Sequence, residues 1–229
     1  MLTRLKSQTL VEQANQHLLD YINQNRLQAG DSLPSIGELS EFFGASRAVI
    51  RESLRSLEAR GIIELANGKK AKIKPLTGEP LVTFFHRFME VDDRAAWEFA
   101  EIRKALEIQC VSLAIRRGTD EELQSLNNIV AQMRANLHNA DSFTELDVRF
   151  HLMIAHATHN TMMVHLLESI RDAIRESVQR GLQKRLTREQ LETVQGFHET
   201  LVERMITRDE LGAIEAMNAH FDEIAMALE

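Results

Sequence analysis

The stretch that most constrains the fold of this chain is residues 30–63, where two short helical segments flank a glycine and a strand-like segment follows. Ser35 with Glu38 is a capping box that predicts the start of the first helix, and Gly44 suits the left-handed residue that ends it. Ser46 is the expected cap of the second helix. The turn is therefore about three residues long, which favours a helix-turn-helix whose second helix can enter a DNA major groove.

The second helix divides into an apolar face and a basic face. Apolar residues at three- and four-residue steps are predicted to face the core: Ile50, Leu54 and Leu57. Arg47, Arg51 and Arg55 share another face, with no carboxylate among them, and suit contacts to phosphates and guanine edges. Arg47 lies in the first turn, where a recognition helix usually reads bases, and is predicted to do so.

A β-hairpin is predicted directly after this helix. Strands are expected over residues 62–66 and 69–74, joined by Asn67-Gly68, a pair typical of a type I′ turn. Lysines on the second strand would make the hairpin a basic wing. The alternative is that this helix and hairpin are simply charged and solvated. The caps, the turn, the apolar stripe and the basic face together favour DNA binding. The candidate DNA contacts are Ser35, Ser46, Arg47, Arg51, Arg55, Asn67, Gly68 and Lys69.

Charge is distributed unevenly along the chain. The net charge of −7 argues against a general polyanion binder. Residues 1–74 nevertheless contain 11 Lys and Arg against 8 Asp and Glu, a net +3, which leaves 16 against 26, or −10, for residues 75–229. The sequence thus joins a basic module to an acidic body.

Cysteine content and hydropathy bear on the compartment. Cys110 is the only cysteine, so no disulfide can form within the chain, and a reducing cytosol is expected. The first residues lack the apolar core of a signal peptide, and no apolar run approaches the length of a membrane span. These features predict a soluble, cytoplasmic protein without a membrane partner.

The predicted fold class is mainly α, in two domains. Residues 1–75 are expected to form a winged helix-turn-helix of three helices plus a β-hairpin, with one helix before the motif marked by an apolar stripe at residues 11–22. Pro75 and Pro80 bound a predicted linker over residues 76–80. Residues 81–229 show helical stripes throughout and are predicted to form an antiparallel bundle of six or seven helices. Two of its helices have capping boxes, at Thr119 with Glu122 and at Thr187 with Gln190.

Side chains that commonly bind metals fall on stripes that should be apolar. Asp147 and His151 lie four residues apart and are predicted to face the core, about 5 to 6 Å apart at Cβ. His198 and His220 lie on the apolar stripes of two later helices. A lone buried histidine is more often hydrogen-bonded than metal-bound, but four such groups without a common partner would be costly to bury. The pattern therefore favours a metal site, with the other six histidines on the surface or in ordinary packing.

Several short motifs occur together along the chain. They are Leu33-Pro34-Ser35, Ser46-Arg47, Arg51-Glu52, Glu101-x-Arg103-x-x-Leu106-Glu107, Asp147-x-x-Phe150-His151, and His198 with His220. With these motifs, residues 30–63 and the wing closely resemble the winged-helix domain of GntR-type bacterial transcription regulators. The bundle resembles the ligand-binding domain of the FCD branch of that family, the FadR-like subfamily.

The resemblance implies a DNA-binding transcriptional regulator. A divalent metal ion, with zinc in first place and nickel, manganese or iron as alternatives, would be bound by Asp147, His151, His198 and His220. Arg103 would help to bind a small carboxylate effector. The resemblance also implies a homodimer on an inverted-repeat operator in double-stranded DNA, usually a repressor released by its effector.

Two departures from the family pattern concern DNA recognition. After Leu-Pro-Ser the family usually has Glu-Arg-Glu-Leu, in which the arginine often reads a base, whereas this chain has Gly37 at that position. The wing has Asn67-Gly68-Lys69-Lys70 in place of a Gly-x-Gly-Thr run. The operator sequence is therefore not transferable from better-known relatives.

Three alternatives remain open at this point. The first places Arg103 in a buried salt bridge with Glu107, four residues along the same helix, in place of an effector contact. The second is a helical metalloenzyme with a DNA-binding module, although no histidine has a glutamate three residues before it and no His-Glu-x-x-His motif occurs. The third is a DNA binder with a purely structural metal. The absence of those motifs favours a protein that is not an enzyme.

Overall fold

The computed structural model of this chain describes residues 8–91, 95–175 and 188–228. The chain divides into two compact units, residues 1–80 and 81–229. Both units are mainly helical, and the strands of the described residues form one two-stranded antiparallel sheet. The predicted fold class is therefore confirmed. None of the described helices has the length and apolar character needed to cross a membrane.

The N-terminal unit contains a helix-turn-helix followed by a hairpin. Its helices are α1 (Leu10–Gln24), α2 (Ile36–Phe43) and α3 (Arg47–Ala59), and its strands are β1 (Ile63–Glu64) and β2 (Lys72–Ile73). In the sheet Ile63 pairs with Ile73, and Glu64 with Lys72.

The boundaries of α2 and α3 follow the predicted capping signals. Ser35 Oγ accepts a hydrogen bond from the Glu38 N–H, and the Glu38 carboxylate accepts one from the Ser35 N–H. Gly44 ends α2 in the left-handed conformation, with φ of 62°, where a side chain would be strained. Ser46 caps α3 by accepting a hydrogen bond from the Val49 N–H. The short turn predicted between these helices is confirmed.

The core of the N-terminal unit lies where α1 packs on α3. Leu18 of α1 is buried against the apolar stripe of α3, as predicted for the helix preceding the motif. Asn15 joins the same two helices, because its amide donates to Ser56 Oγ (3.0 Å) and its oxygen accepts from Ser53 Oγ (2.6 Å). Ser53 is fully buried, so this contact satisfies a buried hydroxyl and sets the register of the two helices.

The wing is shorter than predicted and its turn is of another type. The strands predicted over 62–66 and 69–74 are reduced to two residues each. Residues 66–69 form a hydrogen-bonded turn in which only Gly68 has a positive φ, 72°. A type I′ turn needs positive φ at both central residues, so that prediction is wrong. A positive φ at the second central residue alone is typical of a type II turn, which leaves Asn67 unstrained.

The C-terminal unit is a helical bundle. Its helices are α4 (Glu79–Val91), α5 (Ala95–Arg117), α6 (Asp120–Ala135), α7 (Ala140–Ala157), α8 (Thr161–Ser169), α9 (Arg188–Ile206) and α10 (Glu210–Leu228). The long helix α5 packs against α7 and α10, while α6 packs against α7 and α9. The first of these helices starts within the segment predicted as a linker, with Pro80 in the first turn, where its missing N–H leaves no hydrogen bond unmade.

Two capping predictions fall in this unit. The capping box of Thr119 with Glu122 starts α6 and is confirmed. The box predicted at Thr187 with Gln190 lies outside the residues whose side chains the structure describes. Asn139 caps α7 through a hydrogen bond from the Ser142 N–H (3.0 Å).

One arginine ties two turns of the bundle together. Arg208, between α9 and α10, donates to the Gly118 carbonyl oxygen (3.0 Å) and to Asp120 (2.6 Å). It also contacts the carbonyl of Ile115 in the last turn of α5. Cations are favourable at a helix C-terminus, so this contact both caps α5 and holds the start of α10 against it.

The inward face of α5 carries charged as well as apolar residues. Ile102 of this helix is 55% exposed, whereas Phe99 and Cys110 are buried. Arg103 and Glu107 are both 1% exposed, so the helix buries a pair of opposite charges beside apolar side chains.

Candidate functional site

An open cleft of about 660 Å³ lies between the start of α2, the exposed face of α3 and the wing. Its lining brings together nearly all of the predicted DNA contacts: Ser35, Arg47, Arg51, Arg55, Asn67, Gly68 and Lys69. Ser46, whose hydroxyl caps α3, does not line the cleft. Residues from three separate segments thus form one concave basic surface.

The cations of this cleft are not equally available. Arg47, Arg51 and Lys69 form no ion pair with another residue that the structure describes. Arg55 pairs with Glu52 on the same helix (2.9 Å), so the basic face is not free of carboxylates, contrary to the prediction. The missed signal was Glu52, three residues before Arg55, a spacing that places the two side chains side by side.

A second ion pair crosses from α2 to the wing. Glu38 lies 3.2 Å from Lys70. Hydrogen bonds from Ser35, and then the Lys70 ammonium, lower the pKa of Glu38 to about 2, so this carboxylate stays ionised. Lys70 is therefore paired with a carboxylate, whereas the adjacent Lys69 has no ion partner among the described residues.

Three buried histidines converge inside the C-terminal unit. They are His151 of α7, His198 of α9 and His220 of α10, and they are at most 3% exposed. One ring nitrogen from each lies within 4.8 Å of the ring nitrogens from the other two. The described residues therefore contain three imidazoles that could hold one metal ion. All three are predicted ligands.

Asp147, the fourth predicted ligand, borders this histidine triad. Its Oδ1 lies 3.1 Å from His198 Nε2, and its Oδ2 lies 3.8 Å from His151 Nε2. Asp147 is not part of the set of mutually close ligand atoms. Its place as a ligand stays a prediction.

The polar atoms of the triad lack hydrogen bonds. Both ring nitrogens of each histidine, and Asp147 Oδ2, have no hydrogen-bond partner, since the close contacts among them are not aligned as hydrogen bonds. Each unsatisfied buried polar group costs about 1 to 3 kcal/mol. A divalent cation would satisfy several of these lone pairs at once. Imidazole and carboxylate ligands suit zinc, nickel, manganese or iron, so the residues fit such an ion.

The electrostatics of the cluster favour the metal-binding protonation states of His220 and Asp147. Burial lowers the pKa of His220, and the neighbouring His198 and His151 lower it further, which keeps this imidazole neutral. Burial alone would raise the pKa of Asp147, but the adjacent imidazoles of His151 and His198 outweigh it, and the net shift is downward. Neutral imidazole and ionised carboxylate are the forms that bind metals.

Arg103 is engaged in the salt bridge that was the alternative prediction. Its Nε donates to Glu107 Oε1 (2.5 Å), and both side chains are 2% exposed. Its Nη2 has no hydrogen-bond partner, and its Cζ lies 5.2 Å from the centre of the Phe221 ring, next to His220. The Nη2 group of Arg103 is thus a buried donor without a hydrogen-bond acceptor. Its assignment to an effector stays a prediction.

Sequence reasoning missed the central position of Glu107. Its second oxygen, Oε2, contacts His151 Nδ1, so one carboxylate touches both Arg103 and the histidine triad. Burial alone would raise the pKa of Glu107, but Arg103 and His151 outweigh it and lower that pKa. The four-residue spacing from Arg103 predicted the salt bridge, because it places the two side chains on one face of α5, but it does not indicate the contact with His151.

The other histidines fit the prediction of surface or ordinary packing roles. They are exposed or half-buried: His17, His86, His138, His156, His159 and His165. Cys110 is buried, and burial first and Glu107 second raise the pKa of its thiol to about 12. A thiol that stays protonated is a poor nucleophile, so this cysteine is a packing residue.

Two family models match this sequence. The model described as bacterial regulatory proteins, gntR family, matches residues 10–73, which include α1 to β2. The FCD domain model matches residues 98–223, more than half of the chain, and includes the histidine triad.

Among similar proteins, the Glc operon transcriptional activator of Escherichia coli K12 is 32% identical over 161 residues, 66% of this chain and 62% of that protein. This chain thus matches less than two thirds of that relative's length. The galactonate operon transcriptional repressor of Escherichia coli K12 is 29% identical over 66% of this chain and 69% of that protein. The solved structure of Streptococcus agalactiae GntR has a TM-score of 0.72 at 27% identity, and the match covers 94% of this chain and 99% of that one.

Proposed function

Because this chain belongs to the GntR family of bacterial regulatory proteins and contains an FCD domain, we propose that it is a homodimeric repressor released by a small carboxylate. Its similar proteins are transcription regulators and not enzymes. One similar protein is named as an activator and another as a repressor, so the sign of regulation belongs to the proposal. A dimer would place two recognition helices on the half-sites of an inverted repeat.

DNA binding is proposed to use the cleft between α2, α3 and the wing. Arg47, in the first turn of α3, can present its guanidinium to the two acceptors of a guanine edge. Arg51 and Lys69 have no ion partner among the described residues and would bind phosphates. Gly37 lines the same cleft with no side chain, so it cannot supply the base contact that an arginine makes elsewhere in the family.

Arg47→Ala is expected to cost about 1 to 3 kcal/mol of binding at the operator and to relax sequence preference, because it removes a base contact. Lys69→Ala should weaken binding to all sequences alike and reduce the salt dependence by about one ion, because it removes a phosphate contact. Fluorescence titrations with operator and scrambled duplexes at several salt concentrations measure both. Equal losses of specificity in the two variants would contradict this division.

The metal centre is proposed to be held by Asp147, His151, His198 and His220. The observation that carries this is the set of buried ring nitrogens from three helices, none of which has a hydrogen bond to another described residue. When bound, a divalent ion would supply a Lewis-acidic anchor for an anionic oxygen. The protein residues would hold the ion, exclude water and join three helices.

The effector is proposed to be a small hydroxy or dicarboxylic acid. Arg103 has an unpaired Nη2 in a nearly fully buried side chain, and a guanidinium pairs best with a carboxylate. One similar protein is named for the galactonate operon, and galactonate is a hydroxy acid. Effector binding would change operator affinity by a coupling free energy of about 1 to 3 kcal/mol, the usual range of allosteric coupling.

Calorimetry with a panel of short hydroxy acids, dicarboxylic acids, neutral sugars and amines tests the effector class. We expect binding of an acid by the metal-loaded protein, and weaker binding by Arg103→Lys, because lysine keeps the charge but loses the planar fork. Arg134→Lys, a half-exposed arginine of the same unit, is the matched control and should bind like the wild type. Binding that survives both Arg103→Lys and metal removal would place the effector elsewhere and favour a structural metal.

A further inference from the structure

One buried chain of contacts runs from α10 through α5 to α7. The Phe221 ring lies under the Arg103 guanidinium, whose Nε donates to Glu107 Oε1, while Glu107 Oε2 contacts His151 Nδ1. Arg103, Glu107 and His151 are each only 1% exposed. Water therefore does not reach these polar atoms, and only neighbouring protein groups can satisfy them.

The two oxygens of Glu107 face two different groups. Arg103 approaches Oε1 and orients the carboxylate so that Oε2 is presented to His151. This contact is not aligned as a hydrogen bond in the structure. An ionised carboxylate can only accept hydrogen bonds, so an aligned bond at this contact requires the proton of His151 on Nδ1. The neutral ring then carries its lone pair on Nε2, the nitrogen that lies 3.8 Å from Asp147 Oδ2.

We propose that Glu107 is the positioning residue of the metal centre: held by Arg103, it fixes the ring and tautomer of His151 so that Nε2 binds the ion. The inference rests on the proposed metal site and adds a residue that is not a ligand. It also connects the metal site to Arg103, the proposed effector residue. An effector that draws Arg103 away from Glu107 would change how the Glu107 carboxylate is oriented toward His151. A histidine ligand whose second nitrogen donates to a carboxylate is a recurring arrangement in metal sites.

Glu107→Gln is the first test, because the amide has nearly the same shape but only one oxygen. It cannot accept hydrogen bonds from Arg103 and His151 on separate oxygens, as the carboxylate can. We expect zinc affinity, measured by competition with a chromophoric chelator, to fall about 10- to 100-fold. Glu101→Gln, an exposed position on the same helix, removes the same charge and should leave zinc affinity unchanged.

A double variant separates positioning from simple loss of charge. Arg103→Met with Glu107→Gln removes one positive and one negative charge, so the net charge near the ion is that of the wild type. If Glu107 acts through His151, zinc affinity stays as low as in Glu107→Gln alone. Recovery of wild-type affinity would overturn the proposal, because charge and not orientation would then be the cause. Circular dichroism of the metal-free variants verifies that each is folded.

The tautomer of His151 is the direct readout and needs no metal. Nitrogen chemical shifts of labelled histidine, assigned with His151→Gln, should show Nδ1 protonated in the metal-free wild type and a changed tautomer population in Glu107→Gln. Protonation at Nε2 in the wild type would overturn the inference. If the wild type binds no divalent ion, the proposed metal centre fails instead; if it binds zinc and Glu107→Gln binds equally well, only this inference fails.

Discussion

His198→Ala is expected to abolish the rise in melting temperature that a divalent ion produces in the wild type. An ion that binds only the folded protein adds about 2.7 kcal/mol of stability at 100 times its Kd. For a domain of this size that amounts to about 5 to 10 °C. His198 has no exposed surface and lies next to both Asp147 and the His220 ring, so its loss removes one of the four proposed ligands.

The measurement is differential scanning fluorimetry of protein stripped with a chelator, with and without added zinc, together with elemental analysis of protein purified without chelator. The wild type should contain about one divalent ion per chain, as a single set of ligands predicts. His138→Ala removes an exposed histidine and serves as the matched control. Full metal content and an unchanged zinc response in His198→Ala would show that the site is assigned wrongly.

Arg103→Met is expected to lower the free energy of unfolding by about 3 to 5 kcal/mol, because it leaves a buried carboxylate without its cation. Methionine retains most of the volume, so little of the loss comes from a cavity. Arg134→Met provides the contrast. The pair of Arg134 with Glu199 is about 40% exposed, and breaking an exposed pair typically costs less than about 1 kcal/mol.

Urea unfolding of the metal-free protein followed by circular dichroism measures these differences. Replacing both partners, by Arg103→Met with Glu107→Gln, should recover much of the lost stability, because no unpaired charge then remains buried. Equal losses for Arg103→Met and Arg134→Met would mean that the salt bridge of Arg103 with Glu107 is open to water in solution, contrary to the structure.

Local sequence signals predicted the N-terminal unit well. The capping box at Ser35, the left-handed Gly44 and the cap at Ser46 each depend on residues within one helical turn, and each is found as predicted. The basic face of α3 also follows from its spacing, since side chains four residues apart share a face. The turn type of the wing was not predictable in the same way, because Asn67-Gly68 suits more than one turn and the pairing of two short strands selects among them.

The prediction that the three histidines face the core also came from local sequence, because their neighbours three and four residues away are apolar. Their convergence on one point depends on how α7, α9 and α10 pack, and Asp147 shows the limit of the pattern. It faces inward as predicted and reaches His198, yet it lies outside the set of mutually close ligand atoms. Periodicity determines which face a residue occupies, but not its height or distance across a bundle.

By itself the sequence determined the caps, the helix faces and the identity of the candidate ligands, because these depend on contacts between neighbours along one helix. Only the tertiary structure decided what Arg103 and Glu107 do. Glu107 lies 44 positions before His151, and no local pattern indicates that its carboxylate meets that imidazole. Whether such a charged pair is buried depends on how the helices pack around it, since only a paired charge can leave water at an acceptable free energy.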